Sequence, residues 1–217
     1  MTTYPPITRQ ALTAVDAEQA ISDVQRYFTS GKFTGGQFER FADGGDREAV
    51  ASVFTSDDVV AVSLLSVRIP GRASLQLLGE SAGRLTDLLR EIPADIDLWD
   101  ASDDLVGPQS AASQAWQLLM DFDGVGWVTA GKLMARKRPR LLPVYDQVVK
   151  RVLGRPDGAG LWLPLRDLLR DDPSVRERLG RIRSAAGIGD DISLLRVLDV
   201  VLWMRGDGRP EPAGEDV

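Results

Sequence analysis

Apolar residues recur at three- and four-residue spacing along almost the whole chain, which predicts a protein built of helices. Ala20, Ile21, Val24 and Phe28 share one face of a helix expected over 16–28. Ser56-Asp57-Asp58 reads as an N-cap with an acidic first turn, opening an apolar run that reaches Val67 and is ended by Pro70-Gly71. Residues 59–67 are rich in β-branched side chains, so a strand is the alternative there. Leu85, Leu88, Leu89 and Ile92 predict a helix over 80–92, closed by Pro93, and 95–107 reads as an acidic loop. Further helices are predicted near 110–122, 126–137, 146–154, 161–170, 174–184 and 192–205. The last is apolar nearly all round, the mark of a central, buried helix.

The linking segments divide the chain. A glycine-rich connection, Ser30-Gly31-Lys32-Phe33-Thr34-Gly35-Gly36-Gln37-Phe38, follows the first helix and leads to a turn at Asp43-Gly44-Gly45-Asp46. The fold class expected is all-α, a two-lobed helical bundle. An N-terminal arm over 1–14 precedes one helical domain over 15–206, with lobes of roughly 15–107 and 108–206. The polar stretch over 207–217 is expected to be a disordered tail.

Composition narrows the chemistry. At 43% hydrophobic residues the chain can bury a core without covalent staples. It has no cysteine, which excludes disulfides, thiolate catalysis, zinc–cysteine sites and iron–sulfur clusters. It has no histidine either, so a general base is Asp, Glu, Lys or Tyr. No metal-ligand spacing stands out, and neither a metal nor another cofactor is expected. Residues 1–11 lack a basic-then-apolar leader, and no apolar stretch reaches membrane-spanning length. A cytoplasmic location with no membrane partner is expected.

The net charge of −6 is unevenly placed. From Gly124 to Arg155 the basic residues are Lys132, Arg136, Lys137, Arg138, Arg140, Lys150, Arg151 and Arg155, and the only acid is Asp146. That segment carries +7 and the rest of the chain −13, which makes 124–155 the candidate for contact with an anionic partner. A solvated helix C-terminus is the other account of Arg136-Lys137-Arg138-Pro139-Arg140.

Two neighbouring elements carry a functional hypothesis. Ala115, Leu118, Leu119 and Phe122 form a helical stripe that stops at Asp123-Gly124-Val125-Gly126, and Ala130, Leu133 and Met134 continue on a second helix. Together they predict a short helical hairpin over 112–137, with Val125 turned back between the helices as a plug. Such a turn aims unpaired N–H groups and the positive end of a helix dipole at an anion, so Gly124, Val125, Gly126 and Thr129 are candidate phosphate-binding residues. In Pro143-Val144-Tyr145-Asp146-Gln147-Val148-Val149, the proline enforces an extended approach and Asp146 stands at an N-cap position. As a cap alone it contributes about 1 kcal/mol.

Taken together, Gly124-Val125-Gly126-x-x-Thr129-Ala130, a connection of fixed length, an aspartate opening a helix and Arg151 five residues on resemble the signature of the helix–hairpin–helix DNA glycosylases. The resemblance covers about 40 residues, 114–154. It implies a hairpin that grips the DNA backbone and assigns Asp146 as the catalytic aspartate at the mouth of a base pocket. The Schiff-base lysine of bifunctional members is replaced by Val128, and without cysteine there is no cluster, so the resemblance implies a monofunctional hydrolase without lyase activity. Where the family often has Asp-Thr-His, this chain has Asp146-Gln147-Val148. Phe33-Thr34-Gly35-Gly36, Lys137-Arg138-Pro139 and residues 196–203 also resemble a bacterial family of unassigned function.

On that resemblance DNA is the expected partner, contacted by Lys132, Arg136, Lys137, Arg138, Arg140, Lys150 and Arg151. The expected reaction is hydrolysis of a base–sugar bond, with Asp146 stabilising the oxocarbenium ion and activating water. The extruded base needs an apolar pocket, for which Tyr145, Trp127, Phe33 and Phe38 are candidates. Glu39 is a further candidate for protonating the leaving group, with nothing in its local sequence to set it apart from a surface carboxylate. The alternative is a catalytically inactive module that keeps the fold and binds nucleic acid or another partner.

Overall fold

A computed structural model describes residues 16–154 and 160–206. Among them every regular element is helical, so the strand alternative at 59–67 is not adopted. The expected arm over 1–14, the tail over 207–217 and Arg155 lie outside the described residues.

Helix α1 spans Ala17–Thr29, started by the Asp16 carboxylate, which accepts from the Gln19 N–H. It buries Ala20, Val24, Tyr27 and Phe28. Helix α2 spans Ser56–Ser63 and is capped one residue earlier than expected. Thr55 and Asp58 form a capping box, and the Thr55 N–H donates to Asp58 Oδ2 at 2.8 Å. That start signal, with burial of Ala61 and Val62, outweighs the β preference of Val59, Val60 and Val62. Ser66, at φ 59°, terminates the segment three residues after Ser63.

One helix is absent from the periodicity. Pro70 ends the preceding run and also, with its fixed φ of −60°, stands at the N-cap of α3, Gly71–Leu75. A wide turn over Gln76–Glu80 passes from α3 into α4, Ala82–Arg90. The acidic loop folds into a turn at Leu98–Asp100 and the short α5, Asp103–Val106. Then follow α6 (Ala111–Met120), α7 (Trp127–Lys137), α8 (Gln147–Val152), α9 (Trp162–Asp171), α10 (Pro173–Ala186) and α11 (Leu194–Arg205).

Two sets of helices meet. Helix α2 packs on α7, α7 on α6, and α6 on α4 and α5. Helix α1 crosses to the other end of the chain and packs against α10 and α11, with α8 lying on α11. The first and last helices thus share one packing unit across the sequence boundary at residue 107. As its pattern predicts, α11 is central, with Leu195, Val197, Leu198, Val200, Val201 and Leu202 buried.

The glycine-rich connection is packed rather than loose. Thr34–Gln37 forms a tight turn laid flat on α1. A Cβ at Gly35 would fall 2.1 Å from the Tyr27 hydroxyl oxygen, and one at Gly36 would fall 2.8 Å from the Tyr27 carbonyl oxygen. Only glycine permits this approach. The segment forms one wall of the cleft described next.

Candidate functional site

Helices α6 and α7 are joined by the expected tight turn. Gly124 adopts φ 78°, Val125 is buried between the helices, and Gly126 is the N-cap of α7 and offers no side chain to satisfy the first turn. Gly124 and Gly126 are exposed. Thr129 is buried, so only its backbone belongs to the first turn and its hydroxyl is not presented beside the two glycines.

The basic segment is not where the sequence places it. Lys132, Arg136, Lys137 and Arg138 are 4%, 2%, 0% and 2% exposed, so they form neither an exposed basic face for a DNA backbone nor a solvated helix end. Arg136 pairs with Asp58 at 3.3 Å and donates to the carbonyl oxygens of Phe38, Glu39 and Phe41. Lys137 pairs with Asp58 at 2.5 Å and donates to the carbonyls of Gly45 and Val50. Arg138 donates to the carbonyls of Ile92, Ala51, Lys137 and Leu89, and burial pushes its pKa down to about 10. The physical reason is plain in the partners. The irregular segment at 38–51 and the end of α4 near 89–92 turn carbonyl oxygens toward the C-terminal end of α7, and these three long side chains donate to them. At the surface, Arg140 forms a two-pronged pair with Asp97, Lys150 lies 5.7 Å over the Trp127 ring, and Arg151 is exposed.

Asp146 is the N-cap of α8 as expected. Its Oδ1 accepts from the N–H groups of Val148 at 2.9 Å and Val149 at 3.1 Å. Its Oδ2 faces Lys132 Nζ at 3.9 Å. It lies in an open cleft of about 510 Å³ at the meeting of the two helix sets, where α1, the 32–35 segment, the 64–67 turn, α7, the start of α8 and α11 converge. Tyr27, Phe33 and Trp203 supply an aromatic wall. Tyr27 and Phe33 stack at 5.1 Å, and Trp203 meets Phe33 edge-on at 5.9 Å. Lys132, one helical turn beyond Val128 on α7, reaches into the same cleft and donates to the Leu65 carbonyl at 2.8 Å. Burial lowers its pKa against the opposing pull of Asp146.

Of the four pocket candidates, Phe33 alone lines this cleft. Trp127 and Tyr145 line a separate cavity of about 230 Å³ with Trp116 and Trp162, because successive residues of the extended 143–146 strand of chain face opposite ways. Phe38 is buried in the core, with the guanidinium groups of Arg136 and Arg196 each within 6 Å of its ring. Glu39 is no surface carboxylate. It pairs with Arg196 Nε at 2.7 Å, and burial raises its pKa.

Sequence reasoning did not assign Tyr27, Trp203, Arg196 or Asp199 to the cleft. A signal existed for the last two. Arg196 and Asp199 are charges in an otherwise apolar helix, and a charge on a buried face needs a partner or a purpose. Arg196 contacts Asp199 Oδ2, Glu39, the Tyr27 hydroxyl at 2.9 Å and the Gly35 carbonyl at 3.0 Å. Asp199 Oδ1 is buried and has no hydrogen-bond partner among the described residues. Burial, opposed by Arg196 and reinforced by Asp146, pushes the Asp199 carboxyl up to about 7.

This shift has a consequence for stability. Between about pH 4 and about pH 7 the folded protein holds a proton on Asp199 that the unfolded chain has released. The Asp199 contribution to stability therefore falls as pH rises through that window and is level above it. An Asp199→Asn variant is expected to gain stability relative to the wild type as pH rises from about 4 to about 7. Melting temperatures of both proteins across that range check this, and a constant difference between them would contradict it.

Among the described residues no cluster of carboxylates is arranged to hold a metal ion, and no helix is long and apolar enough to cross a membrane. Residues 20–206 match the model of a family of unknown function (DUF6308), and the chain belongs to that family. No curated protein and no solved structure matches it.

Proposed function

We propose that this protein hydrolyses a base–sugar N-glycosidic bond, with Asp146 as the carboxylate beside the reacting sugar carbon. The observation that carries the reading is the placement of Asp146. One oxygen is fixed by two backbone N–H groups and the other is left on the Lys132 side of an aromatic-walled cleft. A carboxylate held in that way stabilises positive charge developing on a sugar ring and accepts a proton from attacking water. The aromatic wall suits a flat base outside its stack.

The reading agrees with the resemblance to the monofunctional helix–hairpin–helix DNA glycosylases, which pairs a glycine-flanked hairpin with an aspartate opening the following helix. DNA is accordingly the proposed substrate. Its backbone would be met by the exposed turn at Gly124 and Gly126 and by Arg140, Lys150 and Arg151, rather than by the buried cations. Within this reading Arg151→Glu is expected to reduce the slope of log affinity against log salt by about one to two. The same affinity measured over a range of salt concentrations checks this, and an unchanged slope would remove Arg151 from the interface.

A second reading, a module that keeps the fold and binds without catalysis, is favoured by one observation. Burial of Lys132, Arg136, Lys137 and Arg138 takes most of the positive charge off the surface near the hairpin. The two readings divide on turnover. The wild-type protein is expected to release base from at least one member of a panel of damaged-base duplexes, single strands and free nucleosides. If no member yields free base, the hydrolytic reading falls and the binding module stands.

A further inference from the structure

The carboxyl of Asp199 has one oxygen paired and the other without a partner among the described residues. Its Oδ2 is engaged by the Arg196 guanidinium on the same face of α11. Its Oδ1 is buried and unpartnered among the described residues, and Asp199 is one of the residues that line the open cleft. No donor among the described residues reaches it. The Lys132 ammonium is committed to the Leu65 carbonyl and to the Asp146 side, and the Arg196 nitrogens are shared among Glu39, Tyr27, Gly35 and Asp199 Oδ2. The charged groups facing Asp199 are Arg196 from its own helix, Asp146 from the start of α8, Lys132 from α7 and Glu39 from the segment after the glycine turn. Two of these are carboxylates. A buried oxygen with no donor, near other carboxylates, favours the protonated acid. A protonated Oδ1 then needs an acceptor, and none of the described residues lies within hydrogen-bond reach of it.

We propose that Asp199 is a hydrogen-bond donor to the ligand, its Oδ1–H meeting a ring nitrogen or carbonyl oxygen of a planar heterocycle held beside Phe33 and Trp203. For the class of ligand, a nucleobase, this rests on the base–sugar reading of the same cleft. The donor role itself stands on the geometry of Asp199. A group that must be protonated to bind couples affinity to pH. It also accepts one replacement and not another. Asparagine can keep its oxygen toward Arg196 and present an amide N–H in the place of Oδ1–H, whereas alanine presents nothing.

The test is calorimetric titration of the intact protein with adenine, hypoxanthine, cytosine and uracil at about pH 6 and about pH 8. With the carboxyl titrating near neutrality, the wild type is expected to bind at least one base about tenfold more tightly at the lower pH. Asp199→Asn is expected to bind that base equally at both pH values, and Asp199→Ala to lose it at both. The isosteric asparagine keeps the test decisive if the alanine variant does not fold. Failure of all four bases to bind, wild-type affinity independent of pH, or retention of the pH dependence in Asp199→Asn would each overturn the assignment. The pattern expected for binding, together with no base release from any substrate, leaves Asp199 as a ligand contact and removes hydrolysis. Base release that is unaffected by both substitutions removes Asp199 and leaves hydrolysis.

Discussion

Replacing Asp58 by alanine is expected to lower stability by about 3–5 kcal/mol, a large fraction of the roughly 5–15 kcal/mol that holds a native protein folded. Asp58 is 1% exposed and is the carboxylate counterion of both Arg136 and Lys137, at 3.3 Å and 2.5 Å. It also accepts from the Thr55 N–H and hydroxyl, closing the capping box of α2. Removing it leaves two cations buried without a carboxylate and opens the start of a helix, and the former effect is the larger. Asp58→Asn separates them, since the asparagine side-chain oxygen can still accept from the Thr55 N–H in the capping box but the group carries no charge. It is expected to retain most of the alanine defect. Denaturant unfolding of the two variants measures this. A loss below about 1 kcal/mol in both would mean that the carbonyl partners alone suffice to hold Arg136 and Lys137.

Within the hydrolytic reading, Asp146→Asn is expected to lower turnover by a hundredfold or more, roughly the scale of a positioned charge-stabilising or base group. The same substitution is expected to change stability by less than about 1 kcal/mol, because asparagine caps a helix about as well as aspartate. The contrast between the two effects is what gives the variant its value. Base-release kinetics and thermal melting on the same preparation give both quantities. Turnover within threefold of wild type would remove Asp146 from the chemistry. A large loss of stability would assign it to the fold, through the Val148 and Val149 caps and the nearby Lys132 ammonium.

Much of the helical frame was readable before any coordinates. Start signals at Asp16, Asp146 and, one residue off, Ser56-Asp57-Asp58 are local, because a cap acts within three residues of itself. Apolar stripes at helical spacing gave α1, α4, α6, α7, α10 and α11 within a few residues of their ends. Helix α3 was illegible because Pro70 was read only as a stop, although a proline can stand at the boundary of the next helix as well. The turn at Gly124 and the cap at Asp146 were likewise visible, since both are short-range features.

The chain's sequence by itself determined the helical class, the hairpin turn, the Asp146 cap and the absence of cysteine and histidine chemistry, for each depends on residue type or near-neighbour spacing. Tertiary structure alone decided what the charges do. A run of Arg and Lys has the same local signature whether its heads meet water, phosphate or carbonyl oxygens. Its burial depended on carbonyl oxygens of the segments at 38–51 and 89–92, which come from far along the chain. The same holds for the cleft. Asp146, Lys132 and Asp199 meet there only because α8 packs on α11 while α7 belongs to the neighbouring set of helices, an arrangement set by long-range packing that no local pattern encodes.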